Sequence, residues 1–240
     1  MTPLVGAENN VQLVQTEAVQ GILVGGAPVT TAEYDIVNRN RAQTISETDT
    51  FTERRYRQFV HHLPANARDV LDIGCNTGRG GAVMKAIRPS LSITGLDCVP
   101  ERLSALDRSV YSFSVCSFTE SIQLPSEGYD AIVSGEFVEH LPPHSVFPTL
   151  CEFFRLLRLR GVLMLTTPNP AYLKNVLRDE SVLGGPHLSQ HSIGSMRRRL
   201  DDIGFSNIKI RGSGRVSSLL SEHFPIKAVY GSYLALARKW

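Results

Sequence analysis

The sequence predicts an α/β protein: a doubly wound, mostly parallel sheet of seven strands with helices on both faces, closed by an antiparallel last strand and preceded by a helical extension. Three observations carry this. Short apolar runs alternate with longer amphipathic stretches from residue 68 to the end. Several of the runs stop at a glycine or an acid, as strands do where they turn into a following helix. The stretch before them, 31–63, has a helical period instead.

Residues 1–30 are rich in Gly, Val, Gln and Thr with weak periodicity, and read as a partly disordered or oligomerisation arm suited to a homodimer. From Thr31 to Leu63 the pattern is helical, with Phe51, Tyr56, Phe59 and Val60 near one face, Asp49 or Thr50 as a cap, and Pro64 past the end. Residues 1–63 are thus an arm and helical lid, and 64–240 the main domain. "RDVLDIG" (68–74) is a strand ending in a glycine turn; "TGRGGAVMKAI" (77–87) is a helix despite its glycines. "LSITGLD" (91–97) is a strand and "PERLSALDR" (100–108) a helix with Pro100 in its first turn. "YSFSV" (111–115) and "YDAIVSG" (129–135) are strands, "HSVFPTLCEFFRLLRL" (144–159) an amphipathic helix, and "GVLMLTTP" (161–168) a strand. "SIGSMRRRLDDIGF" (192–205) is a helix opened near Ser192 and closed by Gly204. "SNIKIRG" (206–212) and "YGSYLALARK" (230–239) complete the sheet as an antiparallel pair.

Composition narrows the function classes. Apolar residues make up 42% and charged ones 20%, an ordinary globular balance. A net charge of +2 argues against nucleic acid as a partner, and the basic runs at 155–160 and 197–199 fall in helical patterns, as solvated faces do. The four cysteines form no CxxC pair and no zinc spacing, which fits reduced thiols. No basic-then-apolar leader opens the chain, and no apolar run approaches the ~20 residues of a spanning helix, so the expectation is a cytoplasmic protein without membrane contact.

In such sheets ligands bind at the carboxyl ends of the strands. There "LDIGCNTG" supplies glycines for close backbone approach, and Asp97 ends the next strand where an acid accepts hydrogen bonds from a ribose diol. The phosphate-gripping GxGxxG is absent. These residues resemble the first motifs of the class I S-adenosylmethionine-dependent methyltransferases, a Rossmann-like fold, with Asn76 departing from the second glycine many members carry. The resemblance covers roughly residues 65–240. It implies S-adenosyl-L-methionine as cofactor, held by Asp72, Gly74, Cys75, Asn76 and Thr77, by Asp97 and Cys98, by Ser117 and Phe118 beside the adenine, and by Ser134.

"GEFVEHLPPH" (135–144) places Glu136, Glu139 and His140 at i, i+3 and i+4, one face of a helical turn, just past the fourth strand on the acceptor side. Acids at a helix start also serve capping, and the EH pair occurs in methyltransferases without metal. "GGPHLSQHS" (184–192) adds His187 and His191. The pattern ExxEH, then TPN (167–169), then a distant histidine resembles the RNA 3′-terminal 2′-O-methyltransferases of small-RNA maturation. That likeness implies a divalent metal, Mg²⁺ or Mn²⁺, on Glu136, Glu139, His140 and His187, with vicinal hydroxyls of the acceptor upon it. It departs around His187, where acidic and aromatic neighbours are replaced by "LSQ". His140 is a base in metal-free relatives; a histidine free of metal could take the acceptor's proton, His144 first and His191 second, although His144 also suits a helix cap and His191 a supporting position. The small net charge favours a neutral sugar or oligosaccharide over RNA, and the chain is similar to actinobacterial sugar O-methyltransferases that methylate mannose units. A metal-free methyltransferase of small-molecule hydroxyls and an inactive cofactor-binding module are the other readings.

Overall fold

The computed structural model describes Ile22–Val24, Arg39 and residues 51–240. Expectations for 31–50, including the cap at Asp49 or Thr50, lie outside the described residues, Arg39 excepted. In chain order come β1 (Ile22–Val24), α1 (Thr52–His62), β2 (Asp69–Ile73), α2 (Arg79–Ile87), β3 (Ser92–Asp97), α3 (Pro100–Ser104), β4 (Tyr111–Cys116) and β5 (Tyr129–Gly135). They are followed by α4 (Pro143–Leu156), β6 (Leu157–Pro168), α5 (Leu173–Leu177), α6 (Ile193–Ile203), β7 (Ser206–Ser213), α7 (Ser217–Leu220) and β8 (Ser232–Arg238). All eight strands join one sheet in the order β1-β4-β3-β2-β5-β6-β8-β7. The seven expected strands are there, and Ile22–Val24, read as part of an arm, adds a short parallel edge against Ser114–Cys116. β8 runs antiparallel to both β6 and β7 and lies between them.

Side-chain alternation explains why the central strands read as continuous apolar runs. Val70, Ile93, Ala131, Val133 and Met164 feed one core, shared with Tyr56, Phe59, Met84 and Leu103 of α1, α2 and α3. Leu71, Ile73, Leu96, Val115, Ile132 and Leu165 feed the other, shared with Val146, Leu150 and Phe153 of α4 and Met196 and Leu200 of α6. Both faces are covered, so both parities along each strand must be apolar. α1 is therefore no detached lid: Tyr56 and Phe59 are part of the main core.

The predicted 144–159 helix ends early. α4 stops at Leu156 and β6 begins at Leu157 with no loop between them. Arg158 decides this, because its Nη1 reaches Asp69 (2.7 Å) and Asp130 (2.8 Å) and ties the starts of β2, β5 and β6 together. The helical period of "RLLRLR" was overridden by that tertiary ion pair. α6 begins and ends as expected: the Ser192 side chain accepts from the Ser195 N–H, and Gly204 caps the end at φ 105°.

The glycines of α2 are explained by two tyrosines. A Cβ on Gly80 would lie 2.1 Å from Tyr56 Cζ, and one on Gly81 2.2 Å from Tyr111 Oη. Both phenols converge on Asp72, each donating to one of its oxygens at 2.7 Å. The Gly81 N–H in turn donates to Tyr111 Oη at 3.0 Å. An alanine at 81 must expel Tyr111 from Asp72, so Gly81→Ala should cost about 2–4 kcal/mol despite its better helix propensity. Urea unfolding checks this, and a loss below about 0.5 kcal/mol would show that the tyrosine is not locked.

α1 is also tied to the connection between β7 and β8. Gln58 Nε2 donates to Gly212 O (2.8 Å) and Glu222 Oε2 (2.6 Å), and His62 Nε2 lies 2.7 Å from Glu222 Oε1. Burial alone would raise the Glu222 carboxyl; the hydrogen bonds from His62 and Gln58, with the charges of His62 and His223, reverse this and bring it down to about 2. A carboxylate held below its unfolded value stabilises the fold above that value and loses its effect as pH falls toward 2. Glu222→Gln should therefore cost about 1–2 kcal/mol at pH 7 once solvent screening of this half-buried group is allowed for, and the gap to wild type should close between about pH 4.5 and 2. Denaturation curves at pH 7 and pH 2.5 test it; an equal gap at both would remove the ionic origin.

Candidate functional site

A cavity of about 960 Å³ opens at the carboxyl ends of the strands, where the loops after β2, β3, β4, β5, β6 and β7 meet α1. After Ile73 the chain reverses through Gly74 at φ +67°, where a Cβ would meet the Phe137 ring at 2.7 Å. The Gly74 and Cys75 N–H groups both donate to Leu96 O (2.8 and 3.0 Å), pinning this turn to β3. Asn76 is left-handed at φ 50°. That explains the departure from glycine, since asparagine tolerates this region better than other side chains. Its N–H donates to Asp97 Oδ2 at 3.1 Å, the Val99 N–H donates to Oδ1 at 2.9 Å, and Arg102 stands 3.7 Å away. Burial pushes the Asp97 carboxyl up, and Arg102 with the backbone donors pulls against it. Cys75 is buried beneath the turn, its Sγ 2.9 Å from where a Gly95 Cβ would stand.

Of the residues expected at the cofactor, Gly74, Cys75, Asn76, Thr77, Asp97, Cys98, Ser117 and Phe118 line the cavity. Asp72 and Ser134 do not: both are fully buried below the wall. Asp72 spends both oxygens on Tyr56 and Tyr111, so it supports the turn from behind. Its carboxyl is pushed up to about 7 by burial, against the pull of those two phenols.

The quoted ExxEH stretch is not one helical face. Glu136 sits at φ 53°, outside a single 3-10 turn over Val138–His140. Its N–H donates to Thr166 O (3.0 Å), its Oε2 accepts from Ser232 Oγ (3.2 Å), and Arg55 of α1 stands 3.8 Å from Oε1. A left-handed glutamate is strained. Glu139 is buried, and Thr167 Oγ1 donates to its Oε2 at 3.0 Å while Oε1 has no hydrogen-bond partner. The Glu139 carbonyl accepts from the N–H groups of Leu188 and Ser189 (2.8 and 3.0 Å), which straps the 184–189 loop onto the turn and carries His187 to His140. Glu139, His140 and His187 then offer ligand atoms within 4.8 Å of one another; Glu136 is not part of that set. Each imidazole gives its Nδ1 to a backbone carbonyl, His140 to Pro186 (3.1 Å) and His187 to Val182 (2.8 Å). A carbonyl only accepts, so Nδ1 carries the proton, the tautomer that presents an Nε2 lone pair. Burial, then the neighbouring His187, holds His140 down at about 4, and burial with the Glu136 charge raises Glu139.

The two expected bases part ways. His144 lines the cavity from the first turn of α4; it is not the cap, a position held by Pro142. His191 is buried away from the cavity, between Ser189 Oγ (3.0 Å), Val138 O (3.3 Å) and Arg199 Nη1 (3.0 Å). Arg199 donates to Nδ1, so Nε2–H points at Val138 and braces the Val138–His140 turn. Sequence reasoning missed Arg55 and Ser232, which meet Glu136 from α1 and β8; no local spacing signals such contacts.

This geometry matches what comparison with other proteins gives. The sequence matches the methyltransferase domain family over residues 48–210. The chain belongs to that family. S-adenosylmethionine is the cofactor that goes with it. Among relatives, a malonyl-[acyl-carrier protein] O-methyltransferase of Laribacter hongkongensis is 31% identical over 146 residues, 55% of this chain and 47% of that one. The mitochondrial ubiquinone biosynthesis O-methyltransferase of mouse is 30% identical over 130 residues, 49% of this chain and 34% of that one. The chain thus spans less than half the length of these two relatives. A SAM-dependent methyltransferase structure from Archaeoglobus fulgidus shares the fold at a TM-score of 0.62 and 19% identity, covering 86% of this chain and 99% of that one.

In this methyltransferase domain Asp97 both orders the turn and faces the cavity. Asp97→Ala should weaken S-adenosylmethionine binding about tenfold or more, the scale of a lost charge-assisted hydrogen bond. Calorimetric titration measures this, with circular dichroism to confirm the fold; unchanged affinity would place the ribose elsewhere.

Proposed function

We propose that this protein is an S-adenosylmethionine-dependent O-methyltransferase whose acceptor hydroxyl is activated at a divalent cation held by Glu139, His140 and His187. One observation carries the reading: in the same cavity as the Gly74–Thr77 turn, a buried carboxylate oxygen without a partner faces two imidazoles whose outer nitrogens are already committed. Leaving such an oxygen unmet costs stability unless a ligand meets it. Two imidazoles and one carboxylate suit a divalent ion with open positions for substrate. The names of the two relatives, both O-methyltransferases, speak for oxygen as the acceptor atom.

When bound, such a cation lowers the pKa of a coordinated hydroxyl, and S-adenosylmethionine offers an electrophilic sulfonium methyl. The chain's residues do the rest. Thr167 holds the Glu139 carboxylate in place, the 184–189 strap holds His187, and His191 fixes the Val138 carbonyl under the turn. Glu136, at the cavity wall with an Oε1 that has no hydrogen bond and stands 3.8 Å from Arg55, is the acceptor for a second substrate hydroxyl, so a vicinal diol fits the pair of sites. His144 takes the proton. The acceptor in this reading is a sugar or oligosaccharide, with Phe51 and Tyr172 as flat apolar walls for ring faces; the cation would be Mg²⁺ or Mn²⁺.

Glu139→Ala should cut methyl transfer at least a hundredfold while leaving S-adenosylmethionine affinity within about threefold, because its carboxylate is bonded to Thr167 and would meet the cation but touches no residue of the Gly74–Thr77 turn. The measurement is transfer of labelled methyl to mannosides, other sugars, catechols and short RNA, each with EDTA, Mg²⁺ or Mn²⁺. Turnover indifferent to EDTA removes the cation, and metal-dependent labelling of catechol or RNA alone replaces the sugar.

A further inference from the structure

Large apolar side chains left in water are informative when they gather. Among the described residues twelve are exposed, and seven of these fall in two short segments: Leu173, Val176, Leu177 and Leu183 after β6, and Leu219, Leu220 and Ile226 after β7. None of the seven lines the cavity itself, but both segments adjoin residues that do. Tyr172 and Lys174 line the cavity on either side of Leu173, and Val216 lines it one turn before Leu219 and Leu220. The two segments are fastened together, since Asn169 Nδ2 donates to the carbonyls of Lys227 (3.0 Å) and Tyr230 (3.1 Å). Neither helix buries these residues: no side chain of α5 is buried, and Leu177 and Leu219 are 76% and 77% exposed.

We infer that the acceptor carries an apolar tail, which lies across this rim while its hydroxyl head occupies the cavity. The inference rests on the reading that the cavity takes an acceptor hydroxyl, and it adds a substrate class: an amphiphile such as an alkyl or acyl glycoside. Continuity carries it. The cavity that holds His187 is also lined by Tyr172, Lys174 and residues 213–216, and the exposed leucines continue the chain directly from those lining residues. The charges around the rim favour a neutral tail over a bilayer. Of the described basic residues there, Arg178 is matched by Glu180 at 3.8 Å, Lys227 Nζ is bonded to the carbonyls of Glu222 and Phe224, and Arg215 lies over the Phe51 ring at 5.9 Å; Lys174 by itself is too little charge to hold an anionic bilayer. Each methylene fully removed from water tightens binding about fourfold, so even partial cover of a long chain is measurable.

The test uses the full chain, with S-adenosylmethionine and Mn²⁺, on two acceptors with one head group: methyl and octyl mannoside. The octyl compound should show a KM at least tenfold lower. The double variant Leu177→Asp, Leu219→Asp should erase that advantage and leave the methyl compound's KM unchanged. Equal KM values in wild type, or an advantage that survives the double variant, would overturn the inference. If neither mannoside is labelled, the proposed acceptor fails, and the tail is decided by binding alone. A dansyl-labelled undecyl chain should bind wild type and not the double variant; no binding to wild type overturns it. Co-sedimentation with phosphatidylglycerol vesicles and no chain-length effect would overturn it in favour of a membrane surface.

Discussion

Asp72 is the point on which the architecture turns. Its two oxygens take the phenols of Tyr56 from α1 and Tyr111 from β4, and those rings occupy the space that side chains at Gly80 and Gly81 would need. One buried carboxylate thereby fixes α1, β4 and the start of α2 relative to the end of β2. The Gly74–Thr77 turn hangs from that assembly. The acid seen in the sequence beside the glycine turn is thus a keystone that supports the turn from behind.

The fold was legible because its signals are redundant. Each central strand is apolar at both parities, and two cores demand this independently. The boundary at Leu156 was not legible: "RLLRLR" is helical by period, and only Asp69 and Asp130, distant in sequence, make Arg158 a strand residue. β1 was hidden for a related reason, since three residues against an edge carry no periodicity.

The site divides the same way. Glycines and asparagine announced the left-handed turn, and Asp97 its place at the strand end. His140 and His187 were found as residue types, and the structure brings them beside Glu139 through a backbone strap that no side-chain pattern encodes. Glu136 was misread because i, i+3, i+4 spacing presumes a helix, whereas two prolines and the reversal after β5 leave room for one 3-10 turn only. His191 takes the supporting position that the sequence also allowed rather than that of a base at the cavity: it is buried among Ser189, Val138 and Arg199. Burial first, and then Arg199, hold it down at about 4.

The setting of Cys75 carries a consequence for redox chemistry. A thiol reacts with oxidants and alkylating agents as its thiolate. Burial drives the Cys75 thiol well above its ordinary range, and the charges of Asp97 and Asp72 drive it further. Cys116, nearby on β4, is likewise pushed up to about 11 by burial, with Asp97 adding to it. The sulfur beside the Gly74–Thr77 turn is therefore held in its protonated form, the form of a thiol that reacts slowly with peroxide and with disulfides.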